Sequence, residues 1–295
     1  MSYQDSVAII LVNYNGTKDT NECIKSLLTV EYEPLWIIVV DNGSPTKFIL
    51  NKEFEDKKNI ICLTSDCNLG FSGGNNLGIK YAIDILHIKY ITLLNNDTVV
   101  EPDFLKKLME VEERNSPCIV GGSIFYYFNK KLIWYAGGEY NRTTGETIHI
   151  GFNDTHFSDD KNEKEVTFIT GCLMLFSSSV VEKIGCLPEE EFLYYEDTDY
   201  CCKALDSGIK LIYAPEAVIY HKVSASTKHK STLQNYYMIR NGLYIINKYG
   251  KKKRLAYVAF IKKYIKALLK NECTIGILLA AISDFKRGKM GKMVV

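Results

Sequence analysis

Short apolar runs alternate along this chain with segments in which apolar residues return every three or four positions. Val7–Val12, Trp36–Val40, Asn59–Leu63 and Tyr90–Leu94 read as strands. Asp19–Leu28, with Cys23, Leu27 and Leu28 on one side, reads as a helix, as do Asn75–Leu86 and Asp103–Arg114. Pro102 is a favourable start for the last of these. Repeated strand–helix units predict an α/β class with a doubly wound, mainly parallel sheet. Between residues 120 and 150, Gly, Tyr, Phe and Thr dominate, which predicts a small antiparallel addition. Residues 151–165 are polar and predict a mobile loop. Thr167–Phe176 predicts another buried strand, and Thr198–Ser207 a helix closed by Gly208. From Leu233 onward the pattern is helical. The expected division is therefore 1–232 for a catalytic domain and 233–295 for a basic, amphipathic helical region.

Composition adds limits. The 295 residues and 46% hydrophobic content fit one large α/β domain with an appendage, or two small domains. The Val7–Val12 and Thr274–Ile282 runs are too short for a signal core or a membrane span, so a cytoplasmic location is expected. Nine scattered cysteines without a C-x-x-C pair predict reduced core thiols, not a disulfide frame or zinc site.

The net charge of +1 conceals a polarity. Residues 1–220 hold 19 Lys+Arg and 33 Asp+Glu, a balance of −14; residues 221–295 hold 17 and 2, a balance of +15. In the tail, Leu255, Val258, Ile261, Ile265, Leu268 and Leu269 share a helical stripe, with Lys262, Lys266 and Lys270 on another side. A basic amphipathic helix predicts peripheral attachment at an anionic membrane surface. Few aromatics are interleaved as stacking platforms, so no nucleic acid partner is expected.

Three apolar runs hand polar groups to the loops that follow. Tyr90–Leu94 leads to Asn95-Asn96-Asp97, Phe192–Tyr195 to Glu196-Asp197, and Ala217–Tyr220 to His221. Carboxylates and an imidazole at such ends predict a divalent cation plus a carboxylate for base chemistry. Neighbours in sequence such as Glu196 and Asp197 cannot readily flank one bond as a hydrolase pair. Neither a dinucleotide fingerprint nor a phosphate-binding loop is present; Gly73 and Gly78 have the spacing of the latter, but Ile79 stands where Lys is needed. Asp41 in Asp41-Asn-Gly-Ser44 can accept from a pyrimidine imide, and Tyr14 can stack on the ring. Asn68-Leu-Gly-Phe-Ser-Gly-Gly-Asn-Asn-Leu-Gly78 offers glycines ahead of a helix N-terminus, where phosphates bind well.

In this order, Val12-Asn-Tyr-Asn-Gly16, Val40-Asp-Asn-Gly-Ser44, Asn68-Leu-Gly-Phe71 with Gly73-Gly-Asn75, Asn95-Asn-Asp97, Thr170-Gly-Cys172, Tyr195-Glu-Asp-Thr-Asp199 and His221 resemble a family-2 inverting glycosyltransferase of GT-A fold, in its rhamnosyltransferase-like branch. The resemblance covers roughly residues 7–250. It implies donor contacts from Tyr14, Asn15, Asp41, Asn68, Gly73, Asn75, Asn95 and Asn96. It further implies Asp97 and His221 as ligands of Mg²⁺ or Mn²⁺, Asp197 as base with Glu196 beside it, and Thr170 and Gly171 at the acceptor. Asn95 replaces the first carboxylate of the family's D-x-D element and binds a cation more weakly. The implied reaction moves a sugar, foremost rhamnose from dTDP-L-rhamnose, to a saccharide or lipid-linked saccharide in bacterial surface-polysaccharide synthesis, at the inner face of the cell membrane. The alternatives are a UDP-hexose transferase on the same fold and a catalytically weak sugar-nucleotide-binding subunit.

Overall fold

The structure, a computed structural model, describes residues 5–156, 161–223 and 232–293. Its elements run β1 (Val7–Asn13), α1 (Thr17–Leu27), β2 (Leu35–Asn42), β3 (Ile60–Ser65), α2 (Gly70–Lys80), β4 (Tyr90–Asn95), β5 (Thr98–Val100) and α3 (Phe104–Asn115). They continue with β6 (Cys118–Tyr126), β7 (Asn129–Tyr135), β8 (Gly138–Asn141), β9 (Glu146–His149), β10 (Lys164–Glu165), β11 (Leu173–Ser177), α4 (Ser178–Ile184), α5 (Glu196–Asp206) and β12 (Lys210–His221). Three helices end the chain: α6 (Thr232–Tyr249), α7 (Lys253–Leu269) and α8 (Ile275–Lys286).

A ten-stranded sheet runs β10-β12-β6-β11-β4-β1-β2-β3, with β5 on β12 and β7 on β6. The block β4-β1-β2-β3 is parallel, β11 opposes both neighbours, and β6 and β12 are again parallel to each other. Val7–Leu11 of β1 are fully buried because helices cover both faces of the parallel block, which is why the run is continuously apolar. The antiparallel addition is the β8–β9 hairpin.

Four features differ from the sequence expectations or add to them. First, the helix expected at Asn75 begins at Gly70, and its last turn, Tyr81–Ile85, is π-helical. A side chain at Gly74 would meet Val12 Cγ1 at 2.8 Å, and one at Gly78 would meet Ile10 Cγ2 at 2.6 Å. These glycines let α2 lie close on β1, so packing accounts for part of the glycine-rich pattern.

Second, Thr167–Phe176 is not one strand: Phe168 makes an isolated bridge to Gly138, and the strand begins at Leu173 after a Thr170–Cys172 turn, closed by Leu173 N donating to Thr170 O. Third, the apolar run Phe192–Tyr195 is a bent segment, with φ of 66° at Phe192, 67° at Tyr194 and 75° at Tyr195. Such φ values cost bulky residues free energy and persist only when their surroundings hold them. Here α6 holds them. Asn241 Nδ2 lies 2.8–2.9 Å from the carbonyls of Glu191, Leu193 and Tyr194, and Arg240 Nη2 donates to Glu191 O at 3.0 Å. Fourth, Cys62 and Cys67 are exposed, whereas core positions were expected for all the thiols.

In α7 the buried face is Ala256, Phe260 and Tyr264, not the expected apolar stripe. Leu255, Val258, Ile265 and Leu269 of that stripe are exposed, while Ile261 and Leu268 are partly covered. No helix among the described residues is long and apolar enough to cross a membrane. The polar loop 151–165 lies partly outside the described residues.

Candidate active site

Parallel register sets the first wall of the site. Asn13 pairs with Asp41, and Val12 with Asn95, so three strands end side by side. Ligands in open α/β sheets bind beyond such ends. Asn13 Nδ2 donates to Asp41 Oδ1 at 3.0 Å, Ser44 Oγ donates to the same oxygen at 2.5 Å, and Phe48 N donates to Oδ2 at 2.9 Å. Burial alone would raise the Asp41 pKa; the hydrogen bonds from Ser44, Phe48 and Asn13 prevail and hold it below the usual carboxylate value. Asn13 Oδ1 accepts from Thr20 Oγ1, which in turn accepts from Asn96 Nδ2 at 2.8 Å. One hydrogen-bonded chain thus joins Asn96, Thr20, Asn13, Asp41 and Ser44. Tyr14 is half exposed at the rim, and Asn15 N donates to Ser44 Oγ.

The second wall is the Asn68 segment. Asn42 Oδ1 accepts from Leu69 N, and Asn42 Nδ2 donates to Gly70 O, fastening this segment to β2. Asn68 Oδ1 accepts from Gly70 N. Gly73 faces Leu69 and, at 3.8 Å from a notional Cβ, Glu189 Oε2; Asn75 is buried and donates to Phe71 O. Sequence reasoning missed Asn13 and Asn42. Their signal was a polar residue closing each apolar strand.

Asp97 sits in the turn between β4 and β5, and His221 ends β12 opposite Thr98. His221 Nε2 lies 3.1 Å from Asp97 Oδ1. Burial pushes the imidazole down, but the neighbouring Cys172 sulfur and Asp97 carboxylate outweigh it and raise its pKa to about 10. His221 Nδ1 is buried without a hydrogen-bond partner, and its ring meets Trp134 edge-on at 4.7 Å. Among the described residues, no group of three or more His, Cys, Asp or Glu side chains is arranged to hold a metal alone. The Asp97–His221 pair does fit a hard cation that draws its remaining ligands from a substrate diphosphate, as Mg²⁺ commonly does. Oxygen and imidazole are both suitable donors, and a cation between them would replace the shared proton.

The third group stands at the start of α5. Asp197 Oδ2 accepts from Gly171 N at 3.2 Å, and Oδ1 accepts from Thr198 N at 2.7 Å. Burial raises the Asp197 pKa against these bonds. Glu196 is buried, its Oε2 has no hydrogen-bond partner, and burial followed by the Asp197 charge raises its pKa to about 8. At neutral pH Glu196 is thus mostly protonated, leaving Asp197 as the basic member.

The Thr170–Cys172 turn joins the last two groups. Gly171 touches Asp197, Cys172 O accepts from Asn95 N at 3.0 Å, and the Cys172 sulfur borders His221. Thr170 is buried and its Oγ1 accepts from Cys172 N. A side chain at Gly171 would meet Phe71 Cζ at 2.8 Å, so the α2 segment closes on the same turn.

The model of glycosyl transferase family 2 matches residues 8–185, which include Asp41 and Asp97 but not Asp197 or His221. The chain is 28% identical over 239 residues to the low-salt glycan biosynthesis hexosyltransferase Agl10 of Haloferax volcanii, spanning 80% of this chain and 74% of that one. It is 26% identical over 254 residues to the dTDP-rhamnosyl transferase RfbF of Shigella flexneri, spanning 82% of this chain and 80% of that one. In structure it resembles the mannosyltransferase PcManGT from Pyrobaculum calidifontis in complex with GDP-Man and Mn²⁺, with a TM-score of 0.57 and 14% identity over 99% of this chain and 77% of that one. Its mostly parallel sheet with a small antiparallel addition is thus the GT-A fold. With its strand ends, its carboxylates and a family match over more than half its length, the chain belongs to glycosyl transferase family 2.

Proposed function

We propose that this glycosyltransferase inverts the anomeric centre as it moves a sugar from a pyrimidine-nucleotide donor, foremost L-rhamnose from dTDP-L-rhamnose. The acceptor is a hydroxyl of a saccharide or lipid-linked saccharide in surface-polysaccharide synthesis, at the cytoplasmic face of the membrane. One observation carries the reading: Asp197 is fixed by Gly171 N on the turn that also meets Asn95 and His221, the latter paired with Asp97.

Asp197 takes the proton from the acceptor hydroxyl as its oxygen attacks C1. The C1–O bond to the diphosphate breaks, and its electron pair leaves with the nucleoside diphosphate. One base and one displacement invert the centre. The Gly171 and Thr198 amides hold Asp197 in place for this transfer. A bound Mg²⁺ or Mn²⁺, held by Asp97 and His221, would neutralise charge on the leaving diphosphate. Tyr14, Asn15, Asp41, Asn68, Gly73, Asn75, Asn95 and Asn96 frame the donor, and Thr170 and Gly171 border the acceptor. Likeness to RfbF supports the rhamnosyl donor. The second reading is a UDP-hexose donor, and likeness to Agl10, a hexosyltransferase, supports the hexose.

A thermal-shift screen of UDP-, dTDP- and GDP-sugars with Mn²⁺ tests the donor, because a bound ligand raises the midpoint by mass action. dTDP-L-rhamnose should give the largest shift. A screen in which no nucleotide sugar moves the midpoint sinks the proposal. The anomeric configuration of the product, read by NMR against that of the donor, decides inversion.

A further inference from the structure

Helix α1 lies along the turn that carries Asp97. Thr20, Cys23 and Ser26 recur on one side of the helix, and Asn96, Thr98 and Val100 alternate along the facing turn and strand. Asn96 Nδ2 donates to Thr20 Oγ1 at 2.8 Å, Cys23 Sγ lies 3.7 Å from Thr98 Oγ1, and Val100 N donates to Ser26 Oγ at 3.3 Å. The same helix grips the end of β12, because Lys222 Nζ donates to Asp19 Oδ1 at 2.6 Å and to Glu22 Oε2 at 2.9 Å. Asp97 and His221 are thus each fastened to α1 through a neighbour in sequence, Asn96 and Lys222.

Thr20 also reaches the other end of the site. It is fully buried, and its Oγ1 lies 2.9 Å from Asn13 Oδ1 and 3.0 Å from Gly16 O. A hydroxyl has one proton and cannot serve both acceptors fully. Asn13 Nδ2 in turn donates to Asp41 Oδ1 at 3.0 Å. Gly16 stands between the two ends: a side chain there would begin 2.8 Å from Asn96 Nδ2 and 3.4 Å from Asn13 Oδ1. The close approach of both amides to one hydroxyl leaves no room for a methyl group.

We propose that Thr20 is a positioning residue through which the nucleobase and the divalent cation bind cooperatively without touching each other, a proposal that rests on the pyrimidine-nucleotide reading above. Asp97 and His221, once closed on a cation, hold their turn still and Asn96 with it. The Asn96 amide then occupies one lone pair of Thr20 Oγ1 and directs the hydroxyl proton to Asn13 Oδ1. An amide whose oxygen accepts a hydrogen bond donates more strongly through its nitrogen. Asn13 Nδ2 therefore holds Asp41 more firmly in the orientation that receives the imide N–H of the base. When Asn96 is released, the Thr20 proton turns to Gly16 O and that support is lost. Linkage is reciprocal, so a base held by Asp41 raises the affinity of the Asp97–His221 pair for the cation by the same factor.

The test uses the full chain and two ligands that share no contact: thymidine, which carries the base without phosphate, and Mn²⁺. Free Mn²⁺ is read by electron paramagnetic resonance and thymidine binding by calorimetry. In wild type, saturating thymidine should tighten Mn²⁺ binding by about fivefold or more, and saturating Mn²⁺ should tighten thymidine binding equally. Guanosine should leave Mn²⁺ binding unchanged. Thr20→Val keeps the shape and removes the hydroxyl; each ligand should still bind, and the mutual factor should fall to about one. Thr20→Ser restores the hydroxyl and should restore the factor. Melting by circular dichroism reports the folding of each variant. If Thr20→Val does not fold, Gly16→Ala, which presses on Asn96, takes its place with the same expected loss of coupling.

Thymidine and Mn²⁺ that each bind wild type with no mutual effect overturn the proposal and leave the donor reading standing. A Thr20→Val variant that melts at a lower temperature but keeps the wild-type factor overturns it too, and makes Thr20 a packing residue. Thymidine that does not bind wild type, with or without Mn²⁺, refutes the pyrimidine reading and the coupling together. Mn²⁺ that does not bind wild type, with or without thymidine, refutes the cation and the coupling together.

Discussion

Gly171 and Asp197, 26 residues apart in sequence, are joined by a hydrogen bond from the Gly171 amide to Asp197 Oδ2 at 3.2 Å. Glycine is required there because any side chain would press on the Phe71 ring, 2.8 Å away. Gly171→Ala should therefore push the turn off Asp197 and lower kcat by about tenfold to a hundredfold, the penalty of a small misplacement at a reacting centre. Donor KM should change little. Adding Phe71→Leu should return part of the loss in a double-mutant cycle. A double variant no faster than Gly171→Ala separates the turn from the ring.

Asp197→Asn should fold and bind donor normally but lose about 10²–10⁴-fold in transfer, the usual cost of removing a general base. Single-turnover kinetics with bound donor reads this directly. Glu196→Gln should cost less, because Glu196 is mostly protonated at neutral pH and makes no bond to the Gly171 turn.

Asp97→Ala should abolish cation-dependent nucleotide binding, and His221→Ala should weaken it. Calorimetry of dTDP with and without Mn²⁺ measures both, and a chelator added to wild type should reproduce the Asp97→Ala result. Wild-type binding indifferent to chelator refutes a cation at this pair, and Asn95 in place of a carboxylate would be the reason.

Asp41→Ala should act on two observables. It removes the acceptor for Asn13, Ser44 and Phe48, which should cost about 1–3 kcal/mol in denaturant unfolding. It should also narrow the preference for dTDP over GDP. A stability loss with unchanged preference makes Asp41 a turn-holder and not a base reader.

Stability should fall as pH rises. Burial and the neighbouring Asp197 raise Glu196 to about 8, and burial and the neighbouring Asp199 raise Glu191 to about 9, both from an ordinary 4.5. An acid whose folded pKa lies above its unfolded value contributes stability that is complete below the unfolded value. That contribution is lost as pH climbs through the folded value. Calorimetric melting points of wild type should decline across this window, and Glu196→Gln should flatten the decline below about 8. A parallel curve in the variant would show that Glu196 titrates normally.

Most of the sheet was legible in the sequence because its parallel strands are apolar throughout and its helices carry clear periodicity. Val7–Val12 and Tyr90–Leu94 fall within a residue of their observed strands. Thr167–Phe176 was misread because apolar content does not distinguish a strand from a buried bend. Phe192, Tyr194 and Tyr195 hold left-handed backbone that only α6 makes tolerable, and such a tertiary cause leaves no local trace. Among candidate residues, Asp97 and His221 meet as a pair, as do Gly171 and Asp197. Asn13 and Asn42 were overlooked because their importance lies in register between strands, which one strand read alone does not reveal. In α7 two apolar stripes compete, and burial selected Ala256, Phe260 and Tyr264 over the aliphatic Leu255, Val258, Ile265 and Leu269.

The grip of Arg240 and Asn241 on residues 191–194 sets an order of events during synthesis. The strands that carry Asp41 and His221 and lead to Asp97 all leave the ribosome before α6 does, and they can pair as they emerge. The bent pedestal beneath Asp197 has no such independence, since its carbonyls wait for two side chains some 50 residues downstream. Each newly made molecule can therefore pair its strand-end walls before the segment beneath Asp197 is held in place. A chain stalled in translation before residue 240 lacks both of the side chains that hold residues 191–194 in their bend.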